Sequence, residues 1–176
     1  MSLLWLRSGR PEHRLAGFTL LELLVVMMVI TIAFFALRPS FGGAVREAEE
    51  RTAMRQLVGL FTAARAEAVA RGRLVRVVYD PQETAFYSEV QQAPEQDRLL
   101  FQPVGLLGRK RVRLPEHLVI EEVEVGGMGL TPAEAWAVYF YPDGRTDGAA
   151  LLMVRNSGAT AVLEILGATG KVSLDA

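Results

Sequence analysis

The hydrophobic pattern divides the chain into an apolar N-terminal run, an amphipathic segment and a series of short strand-like segments. Residues 17–37 read GFTLLELLVVMMVITIAFFAL and hold a single carboxylate, Glu22. About 20 apolar residues can cross a bilayer as a helix, so we predict a transmembrane helix over 18–38. In the next segment apolar residues recur at spacings of three and four between charged ones, which predicts an amphipathic helix over 39–72.

Pro39 and the glycine pair Gly42-Gly43 stand between these two helical segments. Proline donates no backbone hydrogen bond and crowds the preceding turn, and each glycine costs a helix about 1 kcal/mol. We therefore expect these residues to interrupt the helix and to make it weakest here. The amphipathic segment is expected to end near Arg71-Gly72, because glycine can adopt the left-handed conformation of a helix cap.

The rest of the chain, 73–176, alternates short runs of valine, leucine and aromatic residues with proline and glycine turns. This pattern predicts antiparallel strands joined by tight turns. The predicted strands are 74–79, 86–90, 118–125, 136–141, 150–154, 161–166 and 171–174. The stretches 91–110 and 126–132 are irregular and are predicted as loops. The fold class is therefore α+β, a long N-terminal helix followed by an antiparallel β-sheet domain.

The residues around the apolar run predict its orientation and bear on whether it is a signal peptide or a plain membrane anchor. Three arginines precede it, Arg7, Arg10 and Arg14. Cationic residues before a span hold the N-terminus in the cytoplasm, so the chain after Arg38 is predicted to be exported. A secretory signal peptide has an apolar core of only about 7–15 residues and then a small-residue cleavage site, which this run lacks. A plain membrane anchor leaves Glu22 unexplained, because a carboxylate in hydrocarbon costs about 2.5–3.5 kcal/mol.

The residues Gly17-Phe18-Thr19-Leu20-Leu21-Glu22 resemble the cleavage and methylation signature of type IV pilins and type II secretion pseudopilins. In that family a membrane peptidase cuts after the glycine, and the exposed phenylalanine is N-methylated. The resemblance implies that 1–17 is a leader peptide, that prepilin peptidase cleaves between Gly17 and Phe18, and that Phe18 becomes methylated. It also implies that Phe18 and Glu22 take part in subunit assembly.

The C-terminal part is similar to the minor pseudopilins of the H type. The similarity rests on an aromatic strand leading into residues 141–145, two further hairpin strands and the closing Gly170-Lys171-Val172. It implies a pilin-like fold and a minor pseudopilin that joins the type II secretion pseudopilus near its tip, helping to export folded proteins across the outer membrane. The implied location is the inner membrane, with 73–176 as a periplasmic domain. The implied partners are other pseudopilins, prepilin peptidase and the inner membrane.

The alternative is a minor pilin of a type IV pilus that acts in DNA uptake or adhesion. In the family, DNA capture depends on a basic patch at the C-terminal end of the sheet domain. Here residues 170–176 carry one lysine and one aspartate. Without the leader, the chain keeps 16 basic and 19 acidic residues, a net charge of −3. We therefore expect no nucleic-acid partner, because binding requires several neutralised phosphates.

Catalytic and metal chemistry find little support in the sequence. The chain has no cysteine, which excludes disulfides, zinc–thiolate sites and thiol nucleophiles. His13 lies in the leader, and His117 is predicted as a surface residue at the start of a strand. We therefore predict no enzyme activity, no catalytic residue, no metal site and no cofactor.

Two groups of carboxylates remain as weaker candidates for acid–base work or calcium binding. The first is Glu121, Glu122 and Glu124, and the second is Asp143 and Asp147. Strict alternation would place Glu122 and Glu124 on the same face as Ile120. We favour ordinary roles for both groups, because charges on an exposed strand prevent edge pairing and Asp143 suits a turn.

Overall fold

The computed structural model describes residues 18–92, 100–108, 111–155 and 158–175, without the side chains of 36–42. In this part of the chain one helix precedes ten strands. The helix is α1 (Leu20–Arg71), and the strands are β1 (Val75–Asp80), β2 (Ala85–Gln91), β3 (Phe101–Val104), β4 (Arg111–Arg113), β5 (Leu118–Val125), β6 (Met128–Leu130), β7 (Trp136–Phe140), β8 (Ala149–Arg155), β9 (Thr160–Ile165) and β10 (Val172–Asp175). The predicted leader, 1–17, lies outside the described residues.

The chain divides into two compact units between Gly42 and Gly43. In the first unit, the large apolar side chains from Phe18 to Phe35 are exposed. Among the described side chains, no helix meets the length and apolarity needed to cross a membrane. The predicted span, 18–38, reaches into the segment whose side chains are not described, and it stays a prediction.

Helix α1 continues through Pro39, Gly42 and Gly43, so the predicted interruption is wrong. The penalties of about 3 kcal/mol for proline and about 1 kcal/mol for each glycine are local. Extending an existing helix adds a hydrogen bond for each residue, so long flanking segments can outweigh them. The helix ends as predicted. Gly72 has φ +60°, and the amide of Arg73 donates to the carbonyl of Ala68 at 3.2 Å, as in a Schellman cap.

The second unit contains two antiparallel sheets. The first has the order β3-β2-β1-β7, with β4 also pairing with β2, and the second has the order β10-β9-β8-β5-β6. Two of these strands, β3 and β6, lie within 91–110 and 126–132, so the prediction of loops there is wrong. Both are short and contain a strand-breaking residue, Pro103 or Gly129, and they gain their hydrogen bonds from β2 and β5.

The core lies between the second half of α1 and the inner faces of the sheets. Phe61 of α1 is fully buried, with its ring 5.9 Å from that of Phe86 and 6.3 Å from that of Phe140, both in the first sheet. Leu151 and Leu163 of the second sheet are fully buried in the same cluster. The predicted helix followed by an antiparallel sheet domain is therefore confirmed, and the division into two sheets was not predicted.

Strand β5 contains a bulge that changes the faces on which its side chains lie. Its register against β8 shifts between Ile120 and Glu122. As a result Ile120 is buried, while Glu121, Glu122 and Glu124 are all exposed. The prediction that Glu122 and Glu124 share a face with Ile120 is therefore wrong, because the extra residue at a bulge reverses the alternation after it.

Candidate functional site

The start of α1 carries the residues that the resemblance assigns to assembly. Gly17 lies outside the described residues, and the Phe18 side chain is 77% exposed. Thr19 caps the helix, since its Oγ1 accepts a hydrogen bond from the amide of Glu22 at 3.2 Å and its carbonyl accepts from the same amide at 3.0 Å. The sequence signal for this cap is the Thr-x-x-Glu spacing of a capping box, from which no prediction was drawn.

Glu22 stands at the third position of α1, in its first turn. A carboxylate is favourable there because the unpaired amides of the first turn give the helix a partial positive charge. Within the described part of the chain, Glu22 forms no ion pair, and its side chain is exposed. The carboxylate is therefore accessible to a positive group of another molecule.

His117 lies directly before β5, as predicted, but it is packed against α1, so the prediction of a surface residue is wrong. Its side chain is only 13% exposed, and Nε2 lies 3.6 Å from Glu50 Oε1 and 3.3 Å from the carbonyl of Arg46. Arg155 of β8 approaches the same carboxylate, with Nε 3.4 Å from Glu50 Oε2. Glu50 therefore ties α1 to the turn before β5 and to β8. These contacts join residues distant in sequence, which the local pattern does not reveal.

Residues 141–148 form a polar corner between β7 and β8. Asp143 accepts hydrogen bonds from the amide of Arg145 at 3.0 Å and from its Nε at 2.6 Å, and these bonds lower the pKa of Asp143. The hydroxyl of Tyr141 donates a hydrogen bond to Asp147 Oδ1 at 2.9 Å, and this bond, together with partial burial, raises the pKa of Tyr141. Both aspartates therefore hold the turn, which is the role that the sequence favoured for Asp143.

Arg65 of α1 clamps this corner to the C-terminal hairpin. Its Nε donates to the carbonyl of Gly144 at 3.1 Å. Gly170, before β10, has φ +62°, and a Cβ there would lie 2.7 Å from Arg65 Cδ and 2.9 Å from Gly144 O. Only glycine fits such an approach, so the two glycines of the C-terminal similarity meet at one point of the fold.

The outer face of the first sheet is charged, and its charges are paired. Nη2 of Arg76 lies 2.6 Å from Glu89 Oε2, and Nη1 donates a hydrogen bond to the hydroxyl of Tyr139 at 3.3 Å. The guanidinium carbon of Arg76 lies 4.0 Å from the centre of the Phe101 ring. Partial burial works against its charge, but the bonds to Tyr139 and Glu89 outweigh it and raise the pKa of Arg76. Arg111 of β4, the strand that pairs with β2, forms an ion pair with Glu83 in the turn between β1 and β2. Arg76 and Arg111 on this face are thus each paired with a carboxylate of the same domain.

The described residues contain no group of three or more histidines and carboxylates placed to hold a metal ion. The acids of β5 face solvent, and Asp143 and Asp147 are engaged in the corner.

Comparisons with known proteins match both the N-terminal segment and the sheet domain to pilin-like families. The family model described as Type II transport protein GspH matches residues 53–170, and the model of the prokaryotic N-terminal methylation motif matches residues 13–37. A search of curated proteins finds no match.

Two solved structures share the fold. The minor pseudopilin EpsH from the Type 2 Secretion System of Vibrio cholerae is 14% identical, with a TM-score of 0.54 over 73% of this chain and 97% of that one. The type IV minor pilin FimU of Pseudomonas aeruginosa is 18% identical, with a TM-score of 0.51 over 74% of this chain and 91% of that one. Because the GspH model matches more than half of the chain, this protein belongs to the GspH family of type II secretion minor pseudopilins.

Proposed function

We propose that this chain assembles into the type II secretion pseudopilus, near its tip, and helps to export folded proteins across the outer membrane. The observation that carries the proposal is the start of α1, an exposed apolar helix capped by Thr19 with one accessible carboxylate, Glu22. Such a surface is unfavourable in water, so it needs a bilayer or other apolar helices around it. Membership of the GspH family supports the choice of a pseudopilus as the structure that supplies these helices.

Maturation is part of the proposal. Prepilin peptidase removes 1–17 by cutting between Gly17 and Phe18, and Phe18 is then N-methylated. Residues 18–38 cross the inner membrane before assembly, 39–72 form the amphipathic half of the helix, and 73–176 lie in the periplasm. The match of the N-terminal methylation motif to residues 13–37 supports the cleavage and methylation steps.

Glu22 supplies the contact that places the subunit in the filament. Cleavage leaves a positive amine on Phe18, and a carboxylate from a neighbouring subunit can meet it inside the helical bundle. Two opposite charges that meet in an apolar environment offset part of their desolvation cost, while losing one partner costs about 3–5 kcal/mol. The pair therefore favours one stagger between neighbouring helices. In this role the protein acts through assembly and carries out no reaction of its own.

The test replaces Glu22 by alanine or glutamine in a strain that lacks the wild-type gene. We expect the variants to be inserted and cleaved, as scored by intact mass, but to lose most crosslinking to other pseudopilins and most secretion. Thr31→Ala is the matched control, because it removes an exposed polar group from the same helix without removing a charge. Wild-type crosslinking and secretion by Glu22→Ala would contradict the proposal.

A further inference from the structure

The outer face of the second sheet presents carboxylates around an apolar strip. The register aligns its outward side chains in two rows across β5, β8, β9 and β10. The first row is Glu122, Leu152, Val162 and Asp175, and the second is Glu124, Ala150, Glu164 and Ser173. We refer to these eight residues as the acidic face.

The acidic face is recessed on its β5 side, next to apolar side chains of β8 and β9. Val162 is 40% exposed and Leu152 is half-buried, and both line a groove of about 450 Å³. Glu121, Glu122 and Glu124 of β5 line the same groove, and Gly129 and Leu130 of β6 line its far side. An apolar side chain inserted there would be covered by Leu152 and Val162 and would lie beside carboxylates.

The carboxylates of this face are unpaired, unlike those of the first sheet. Within the described part of the chain, no lysine or arginine lies within ion-pair distance of Glu122, Glu124, Glu164 or Asp175. Every outward position of the two rows is either acidic or uncharged. Glu124 and Glu164 lie on the same side of the sheet with Ala150 between them. A positively charged partner could pair with these carboxylates, as Arg76 pairs with Glu89 on the first sheet.

The size of the face limits the kind of partner. Four strands spaced about 4.8 Å apart and about six residues long cover roughly 400 Å². A stable interface between free proteins needs about 800 Å² on each partner. The acidic face is therefore too small to hold a free protein by itself, but it suffices for a partner that is already held nearby at high effective concentration.

We propose that the acidic face docks the sheet domain of a neighbouring pilin-like subunit, through a segment that presents an apolar side chain between lysines or arginines. This inference rests on the proposed function, because assembly of the N-terminal helices is what supplies the high local concentration. The helix contact at Glu22 holds the subunit in the filament, and the acidic face selects which neighbour lies beside the sheet domain.

The experiment uses the full chain in secreting cells, with a photo-crosslinking residue placed either at Val162 or at Ile32 in the apolar run of α1. We expect both probes to crosslink pilin-like subunits, identified by mass spectrometry. Glu122→Lys with Glu164→Lys should reduce the Val162 crosslink about tenfold and leave the Ile32 crosslink in place, because it reverses two charge contacts. Reversing the basic residues of the identified partner to glutamate should restore the Val162 crosslink.

The matched control is Glu116→Lys with Glu134→Lys, which changes the net charge equally at exposed residues that are not part of the acidic face. It should leave both crosslinks unchanged. Wild-type resistance to added protease verifies that each variant is folded. If the Ile32 probe crosslinks subunits but the Val162 probe captures nothing, or an exported protein, the inference is wrong while the proposed function stands. If neither probe crosslinks a pilin-like subunit, the proposed function fails as well.

Discussion

At the scale of single residues, the C-terminal similarity corresponds to a physical contact. Gly144 and Gly170 are far apart in sequence, yet a Cβ at Gly170 would lie 2.9 Å from the carbonyl oxygen of Gly144. Arg65 reaches the same point from α1. Glycine is required at position 170 both by its positive φ and by this approach, so the position links the helix, the corner and the last hairpin.

Gly170→Ala should therefore destabilise the domain more than the same change at a glycine with a similar φ but free space. Gly72 is the matched control, with φ +60° and no heavy atom within 4 Å of the point that a Cβ would occupy. Strain at positive φ costs about 1 kcal/mol in both variants, and the clash at Gly170 adds about 1–3 kcal/mol. Chemical denaturation, followed by the fluorescence of the buried Trp136, measures the difference. Equal losses in the two variants would contradict the close approach.

The polar corner should make stability depend on acid through Asp143. Its bonds to Arg145 lower its pKa in the folded state. A group with a lowered folded pKa contributes stability above its unfolded pKa, and this contribution is lost as the pH falls through the folded pKa. Between neutral pH and about pH 3, wild-type protein should therefore lose more unfolding free energy than Asp143→Asn. Denaturation curves at the two pH values test this, and identical losses would show that the carboxylate has no such role.

At the scale of elements, the strands with regular alternation were predictable, whereas the exceptions depend on pairing with neighbouring strands. All seven predicted strands have bounds within one residue of the observed ones, because they combine apolar positions with turn residues at their ends. They are β1, β2, β5, β7, β8, β9 and β10. The bulge at Ile120 and the strands β3 and β6 depend on pairing with a neighbour, which no local pattern encodes. The contact of His117 with Glu50 has the same origin. The cap at Thr19 was encoded locally and could have been found.

Glu50 joins three elements, so its pairing should matter more than an exposed pair on the same helix. Arg155→Met keeps the aliphatic stem but leaves Glu50, whose side chain is 9% exposed, with His117 as its remaining partner. We expect a loss of about 2 kcal/mol, less than the full cost of an uncompensated buried charge. Arg51→Met is the control. The Arg51 side chain is 65% exposed and that of its partner Glu47 is 56% exposed, so this ion pair contributes less than about 0.5 kcal/mol to the free energy of unfolding. Similar effects of the two changes on denaturation midpoints would contradict the buried role.

At the scale of the whole molecule, the two units differ in whether their apolar side chains are exposed or buried. The described part of the first unit, residues 18–35, exposes its large apolar side chains, whereas the second unit buries a core of helix and sheets. Family and fold class were accessible from sequence because the N-terminal motif and the strand pattern are local. The acidic face could not be predicted from the sequence, because it forms only when β5, β8, β9 and β10 pair in one register.

A chain that begins at Ala44 should therefore fold as a soluble monomer. It keeps the part of α1 that packs on the sheets and omits the exposed apolar run, so the hydrophobic surface that needs a membrane or a bundle is absent. The acidic face should not drive dimerisation, because its like charges repel a second copy and its area is about half that of a stable interface. Size-exclusion chromatography with light scattering, alongside circular dichroism, should report a folded monomer in detergent-free buffer at low and high salt. The chain from Phe18 is the control and should require detergent. Aggregation of the shorter chain would mean that its core depends on the apolar run, contrary to the packing described above.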